Sequence, residues 1–170
     1  MSGEKKSGLL AFVLASLAGV LLHFVYHFFP SPFTALFSPV AESVWEHIKL
    51  VYFPGLVASV LLARRWGCLG ERMLALLAGC AVTLALGYLY CIVWGGKGMW
   101  VNILIYLLSI ALVFWLPKPL EARLQGRWSE LFLLLAIALG GAIWLFTFLP
   151  PDHILYADLS GVNTWTVIPY

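Results

Sequence analysis

Five apolar runs, at about residues 9–29, 39–63, 73–94, 99–116 and 129–149, leave this 170-residue chain few ways to fold. Each run is 18 to 25 residues long. At about 1.5 Å of rise per residue, a helix of that length crosses a hydrocarbon core of about 30 Å. No water reaches such a core, so a lone run must satisfy its own backbone N–H and C=O groups, and only a helix does that. Charged residues make up 11% of the chain, against roughly 25% in soluble domains. The runs therefore read as membrane spans, not as buried helices of a soluble bundle. The sequence predicts an all-α integral membrane protein, a five-span helical bundle with a single transmembrane domain over 1–170.

The punctuation between the runs agrees. Pro30-Ser31-Pro32 ends the first span, because proline fixes φ and supplies no donor. Phe33 to Phe37 is apolar enough to lie in the interface. Ser38 reads as an N-cap with Pro39 at the first helical position, opening a helix that runs to about Ala63 and kinks at Pro54-Gly55. Arg64-Arg65, the tight turn Gly95-Gly96-Lys97-Gly98, Pro117 and Pro150-Pro151 close the later runs. Lys5-Lys6 before the first run resembles a signal peptide, but the run continues to Phe29 without a small-residue cleavage site, so it reads as a retained span.

Orientation follows from the cations. With the N-terminus inside, Lys5, Lys6, Arg64, Arg65, Arg72, Lys118, Arg123 and Arg127 collect on the inner side, and only Lys49 and Lys97 on the outer. That is the positive-inside distribution, with the C-terminus outside and 150–170 an external tail. A net charge of +2 argues against nucleic acid as a partner. Cys68, Cys80 and Cys91 have no CxxC or Cys/His metal spacing and read as small apolar filler.

This topology brings all four histidines, His23, His27, His47 and His153, to the outer side, together with Glu42, Glu46, Asp152 and Asp158. His23 and His27 are one helical turn apart, as are Glu42 and Glu46, and Ser43 and His47. Charge at such a depth calls for a reason. Histidines and carboxylates at this spacing suit zinc or another divalent ion, or general acid–base work. Plainer roles exist for each. The aromatic flanks of His23 and His27 fit interface anchors, and the helix macrodipole favours Glu42 and Glu46 in a first turn. Glu46 has ion-pair partners in Lys49 or Lys97, His153 suits a solvated tail, and Asn102 fits either helix packing or a wall of the site.

Pro39-Val40-Ala41-Glu42-Ser43-Val44-Trp45-Glu46-His47-Ile48-Lys49 resembles the hallmark P-V-N-E-S-x-W-E-H-x-K of a bacterial family of small multi-pass membrane proteins of unknown function. Ala41 stands where that pattern has Asn. Tyr156-Ala157-Asp158-Leu159-Ser160-Gly161 is more loosely similar to an aromatic-x-Asp-Pro-x-x-Gly ending, without its proline. The resemblance implies a multi-pass protein of the inner (plasma) membrane and brings no established activity. More distantly, the Ser, Glu and His elements are similar to those of ceramidase-like membrane hydrolases, which have seven spans and a different motif order.

The expectation is a membrane-embedded metal-dependent hydrolase or lipid-processing enzyme with its site at the extracytoplasmic face. Zinc would be held by His23, His27, Glu46 and His47, with Glu42, Ser43 and Asp158 as catalytic residues and Glu42 the general base. Membrane lipid is the expected partner and substrate source. A small proton- or ion-coupled transporter is the alternative, for which five spans would call for a homo-oligomer. A third reading is an accessory subunit of a membrane complex.

Overall fold

The computed structural model describes residues 3–117 and 126–160, with side chains from residue 7 onward. The basic residues Lys118 and Arg123 and the tail beyond Ser160 lie outside the described residues, as do the side chains of Lys5 and Lys6. Among the described residues the fold is all-helical. Its helices are α1 (Gly3–Phe28), α2 (Pro32–Phe37), α3 (Ile48–Trp66), α4 (Leu69–Gly87), α5 (Met99–Trp115) and α6 (Arg127–Phe148). A π-helical stretch, Tyr88–Val93, extends α4, and a 3-10 turn, Ile154–Tyr156, follows α6. Three segments, Ser7–Phe28, Leu69–Val93 and Arg127–Phe148, are long and apolar enough to cross a membrane. Met99–Trp115 is apolar but shorter, and α3 carries Lys49, Arg64 and Arg65.

Helix α4 lies at the centre, packed against α3, α5 and α6, while α1 packs on α3 and the edge of α5. Ile48, Val51, Met73, Leu76, Ile110, Val113 and Ile143 form the fully buried core. Leu14, Leu17, Leu21, Leu104, Leu108, Leu134 and Ile137 point outward. Such an apolar exterior is what a lipid-facing bundle presents and a soluble one avoids. Close helix contact comes from small residues, as lipid-embedded packing requires. A Cβ on Gly79 would meet the Ser109 carbonyl and Val113, so α4 and α5 approach backbone to side chain there.

Helix α3 starts at Ile48, nine residues later than the N-cap reading of Ser38 placed it. A local capping box and a pair of long-range bonds to α1 explain the difference. Ser31 and Thr34 form a reciprocal capping box with Pro32 at the first position, so the short connection becomes a helix of its own. Ser38 then sits at the end of α2, not the start of α3, and spends its hydroxyl on α1. It accepts from Tyr26 N–H at 2.9 Å and donates to Leu22 C=O at 2.5 Å. Those two groups would pair directly in an unbroken helix, so Ser38 is inserted into the ladder of α1. Pro54 stands within α3. It has no N–H for the Leu50 carbonyl, and Gly19 of α1 approaches that same carbonyl where a side chain would not fit.

Candidate functional site

The segment between α2 and α3, residues 38–47, is held by a buried ion pair. Lys49 Nζ donates to Glu46 Oε2 at 2.7 Å, to Ala35 C=O at 2.7 Å and to Ser38 C=O at 3.2 Å. An ammonium has three N–H groups, and all three are used. Glu46 Oε2 also accepts from Val40 N–H at 2.9 Å, and Thr147 of α6 stands 3.4 Å from Oε1. A buried pair is sustained only when its remaining polar valences are met, and here they are. Ser43, with Glu46 three residues on, acts as a cap: its hydroxyl accepts from Glu46 N–H at 3.1 Å. Bonds of the i→i−3 type from Ile48, Lys49 and Leu50 then tighten the entry into α3.

This frame brings three side chains to one point. Glu42 lies between two imidazoles, with His23 Nε2 3.5 Å from Oε1 and His47 Nε2 3.5 Å from Oε2. One ligand atom from each of the three falls within 4.8 Å of the other two. Around a tetrahedral ion with bonds of about 2.0–2.1 Å, neighbouring ligand atoms stand about 3.3 Å apart; each imidazole comes near that spacing to a different oxygen of Glu42, and one atom from each residue lies within the looser 4.8 Å. At 3.5 Å the two His–Glu contacts are long for hydrogen bonds. His47 Nδ1 lies 2.7 Å from the Ser43 carbonyl, which can only accept, so Nδ1 donates there and Nε2 is the ring nitrogen that faces Glu42. That is the usual outer support of a metal-bound imidazole. His23 Nδ1 is buried without a partner among the described residues.

The cluster opens on a cavity of about 300 Å³. Its walls come from the 42–47 loop, Leu50 of α3, Gly87 and Cys91 at the end of α4, Lys97, Asn102 and Tyr106 on and before α5, and Leu159 and Ser160 of the tail. The C-terminal end of α4 and its π-helical extension thus meet the N-terminal ends of α3 and α5 around it. Tyr106 closes one side by donating to the Ser16 carbonyl at 2.8 Å, and Cys91 reaches Asn102 Oδ1 at 3.5 Å. The tail is docked, with Leu159 N–H donating to Glu42 C=O at 3.1 Å and Trp45 N–H to Leu155 C=O at 3.2 Å. Tyr156 packs on Trp45 and Phe146, and that burial pushes its phenol up from the ordinary value.

The residues singled out in the sequence separate into distinct settings. His23, Glu42 and His47 converge. His27, one turn along α1, is exposed and meets Phe28 edge to face, outside the three-residue cluster. Glu46 is held by Lys49, which makes it part of the frame, and Lys97 is not its partner. Ser43 lines the cavity, but its hydroxyl is engaged as the cap and its carbonyl as the support of His47. Asp158 Oδ1 accepts from Ser160 N–H and Oγ, and Oδ2 is buried; its neighbours Leu159 and Ser160 reach the cavity. His153 and Asp152 are exposed. Lys97 and Tyr106 were not legible as site residues. For Lys97 a signal existed in its three flanking glycines, since a turn that excludes side chains at those positions displays the one it keeps.

Comparison with curated proteins and with solved structures finds no match. Over residues 1–163 the chain matches DUF6512, a family of unknown function, to which it therefore belongs.

Proposed function

We propose that this protein is a metal-dependent, lipid-processing hydrolase of a bacterial plasma membrane. It would cross the bilayer five times, N-terminus inside and C-terminus outside, with its site at the extracytoplasmic end. The observation that carries the reading is the His23–Glu42–His47 triangle beside the cavity of about 300 Å³. Two imidazoles and one carboxylate are the protein ligands of several hydrolytic zinc sites, which keep a fourth position open for water. A zinc ion there would bring the pKa of its water down to about 7. In this version Glu42 moves from general base to ligand, and His27 and Glu46 leave the ligand set for the settings described above. Ser43 holds the His47 ring, and Asp158 caps the site from the tail. The distribution of Lys and Arg supports the orientation. Exposed Phe33 and neighbouring Phe37, beside α1 and α3, make an apolar threshold for a lipid arriving sideways.

The test is zinc content and lipid esterase or phosphoesterase turnover of detergent-purified protein beside His23→Ala, His47→Ala and Glu42→Gln. About one zinc per chain, lost in each variant with the helical signal intact, is the expected result. Wild-type protein that folds, binds no divalent ion and turns over no lipid would overturn the reading. The two His–Glu contacts would then favour a proton relay, as in the transporter alternative, or a structural role within a membrane complex.

A further inference from the structure

We propose that Lys97 forms, with the His23–Glu42–His47 cluster, a subsite for a phosphate-type anionic group, so that the substrate of the proposed hydrolase is an anionic phospholipid or phosphate ester. The word substrate rests on the hydrolase reading, and the charge balance at the cluster rests on its metal; the place of Lys97 in the cavity wall rests on neither. Three observations carry it. Among the described residues Lys97 is the only Lys or Arg in the cavity wall, and Glu42 and His47 contribute to the same wall. Among the described residues no carboxylate pairs with Lys97, in contrast to Lys49, whose three donors are all satisfied within the protein.

The third observation is how the turn is built. Tyr90, within the π-helical stretch, accepts Gly96 N–H on its backbone carbonyl at 2.9 Å and Gly98 N–H on its phenol oxygen at 3.0 Å. Gly95 has φ +65, where other residues are strained, and a Cβ at Gly96 or Gly98 would run into the Tyr90 ring or hydroxyl. Three of the four turn positions therefore exclude side chains, and Lys97 is the one that projects. Short π-helical stretches recur at functional sites because they re-aim side chains in this way. A lysine ammonium recognises phosphate as a point charge, so it tolerates the exposed, adjustable position that Lys97 holds.

Charge balance fits an anion. The Glu42 carboxylate alone would repel one. A divalent ion on two neutral imidazoles and that carboxylate leaves one positive charge, and Lys97 raises it to two. Val44, Leu50, Ile105 and Leu159 give the wall an apolar part, which suits the first methylenes next to a phosphate, and Thr83, Asn102 and Tyr106 a polar one, which suits glycerol oxygens.

The test is calorimetric binding to wild type, Lys97→Gln and Lys97→Arg in detergent, with zinc content measured on each. The probes are a non-hydrolysable dihexanoylglycerol phosphonate, the neutral dihexanoylglycerol and inorganic phosphate. Wild type should prefer the phosphonate lipid to the neutral one by at least tenfold. Lys97→Gln should lose that preference, Lys97→Arg should keep most of it, and zinc content should stay unchanged. Inorganic phosphate bound as tightly as the phosphonate lipid, with the same dependence on Lys97, would support the subsite and assign it to a soluble phosphate ester. No anionic preference in wild type, or one unchanged in Lys97→Gln, would overturn the proposal, even with zinc bound. A Lys97-dependent preference in protein without metal would sustain the subsite while the hydrolase reading fails.

Discussion

Lys49 Nζ and Glu46 Oε2 stand 2.7 Å apart with 0% and 1% of their side chains exposed, and the pair joins α2, α3 and the loop that carries Glu42 and His47. Charge so fully enclosed in an apolar bundle is tolerated only as a pair. Lys49→Met should therefore cost about 3–5 kcal/mol, because it strands a buried carboxylate. The double variant Glu46→Gln, Lys49→Met removes both charges and should melt higher than either single variant. Thermal melting in detergent by circular dichroism checks this; strictly additive losses would count against a buried pair.

Ser38 acts on a different element, α1, at the turn between His23 and His27. In Ser38→Ala the Tyr26 N–H and Leu22 C=O can pair with each other, so the loss in stability should be only about 1 kcal/mol. The turn that carries His23 would tighten as they did so. If His23 ligates zinc as proposed, affinity for zinc should then fall severalfold, because the ring is moved from its place beside Glu42. A metal titration against a competing chelator reads this, and unchanged affinity would separate Ser38 from the site.

Gly79 and Gly141 make a matched pair for testing helix contact. A side chain at Gly79 meets Ser109 C=O and Val113, whereas nothing lies within 4 Å of a Cβ at Gly141. Gly79→Leu should destabilise by about 1–3 kcal/mol or more through overpacking. Gly141→Leu should be neutral or slightly stabilising, since leucine is the better helix former. Equal melting temperatures for the two would contradict the α4–α5 packing.

The docked tail is held by aromatic contacts as well as backbone bonds. Tyr156→Ala removes ring contacts to Trp45 and Phe146, worth about 0.5–1.5 kcal/mol each. Limited proteolysis should cleave the segment after Pro151 faster in the variant, with a red shift in tryptophan emission as Trp45 is wetted. Cleavage at the wild-type rate would mean that the backbone bonds of Trp45 and Leu159 hold the tail alone.

Apolar run length and proline placement were enough to read the helical class, and two of the runs fall within about two residues of helix bounds. The run expected at about 99–116 is the helix Met99–Trp115, and the run expected at about 129–149 is the helix Arg127–Phe148. These limits are local, set by where apolar sequence stops and where proline denies the next hydrogen bond or glycine turns the chain. The start of α3 was not legible in this way. Whether Ser38 caps the following helix or enters a preceding one depends on what lies beside it, and residue 22 of α1 is there only once the bundle has formed.

The same division runs through the site. By itself the sequence determined that histidines and carboxylates collect near the ends of apolar runs, because the spacing of those residues is a one-dimensional fact. Only the tertiary structure decided which of them meet. His23 and His27 are equivalent by spacing, as are Glu42 and Glu46. The three donors of Lys49 commit Glu46 to the frame, and the entry turn of α3 swings His47 towards Glu42 and His23. The choice rests on pairing energies between segments distant in the chain, and no local pattern of residues encodes it.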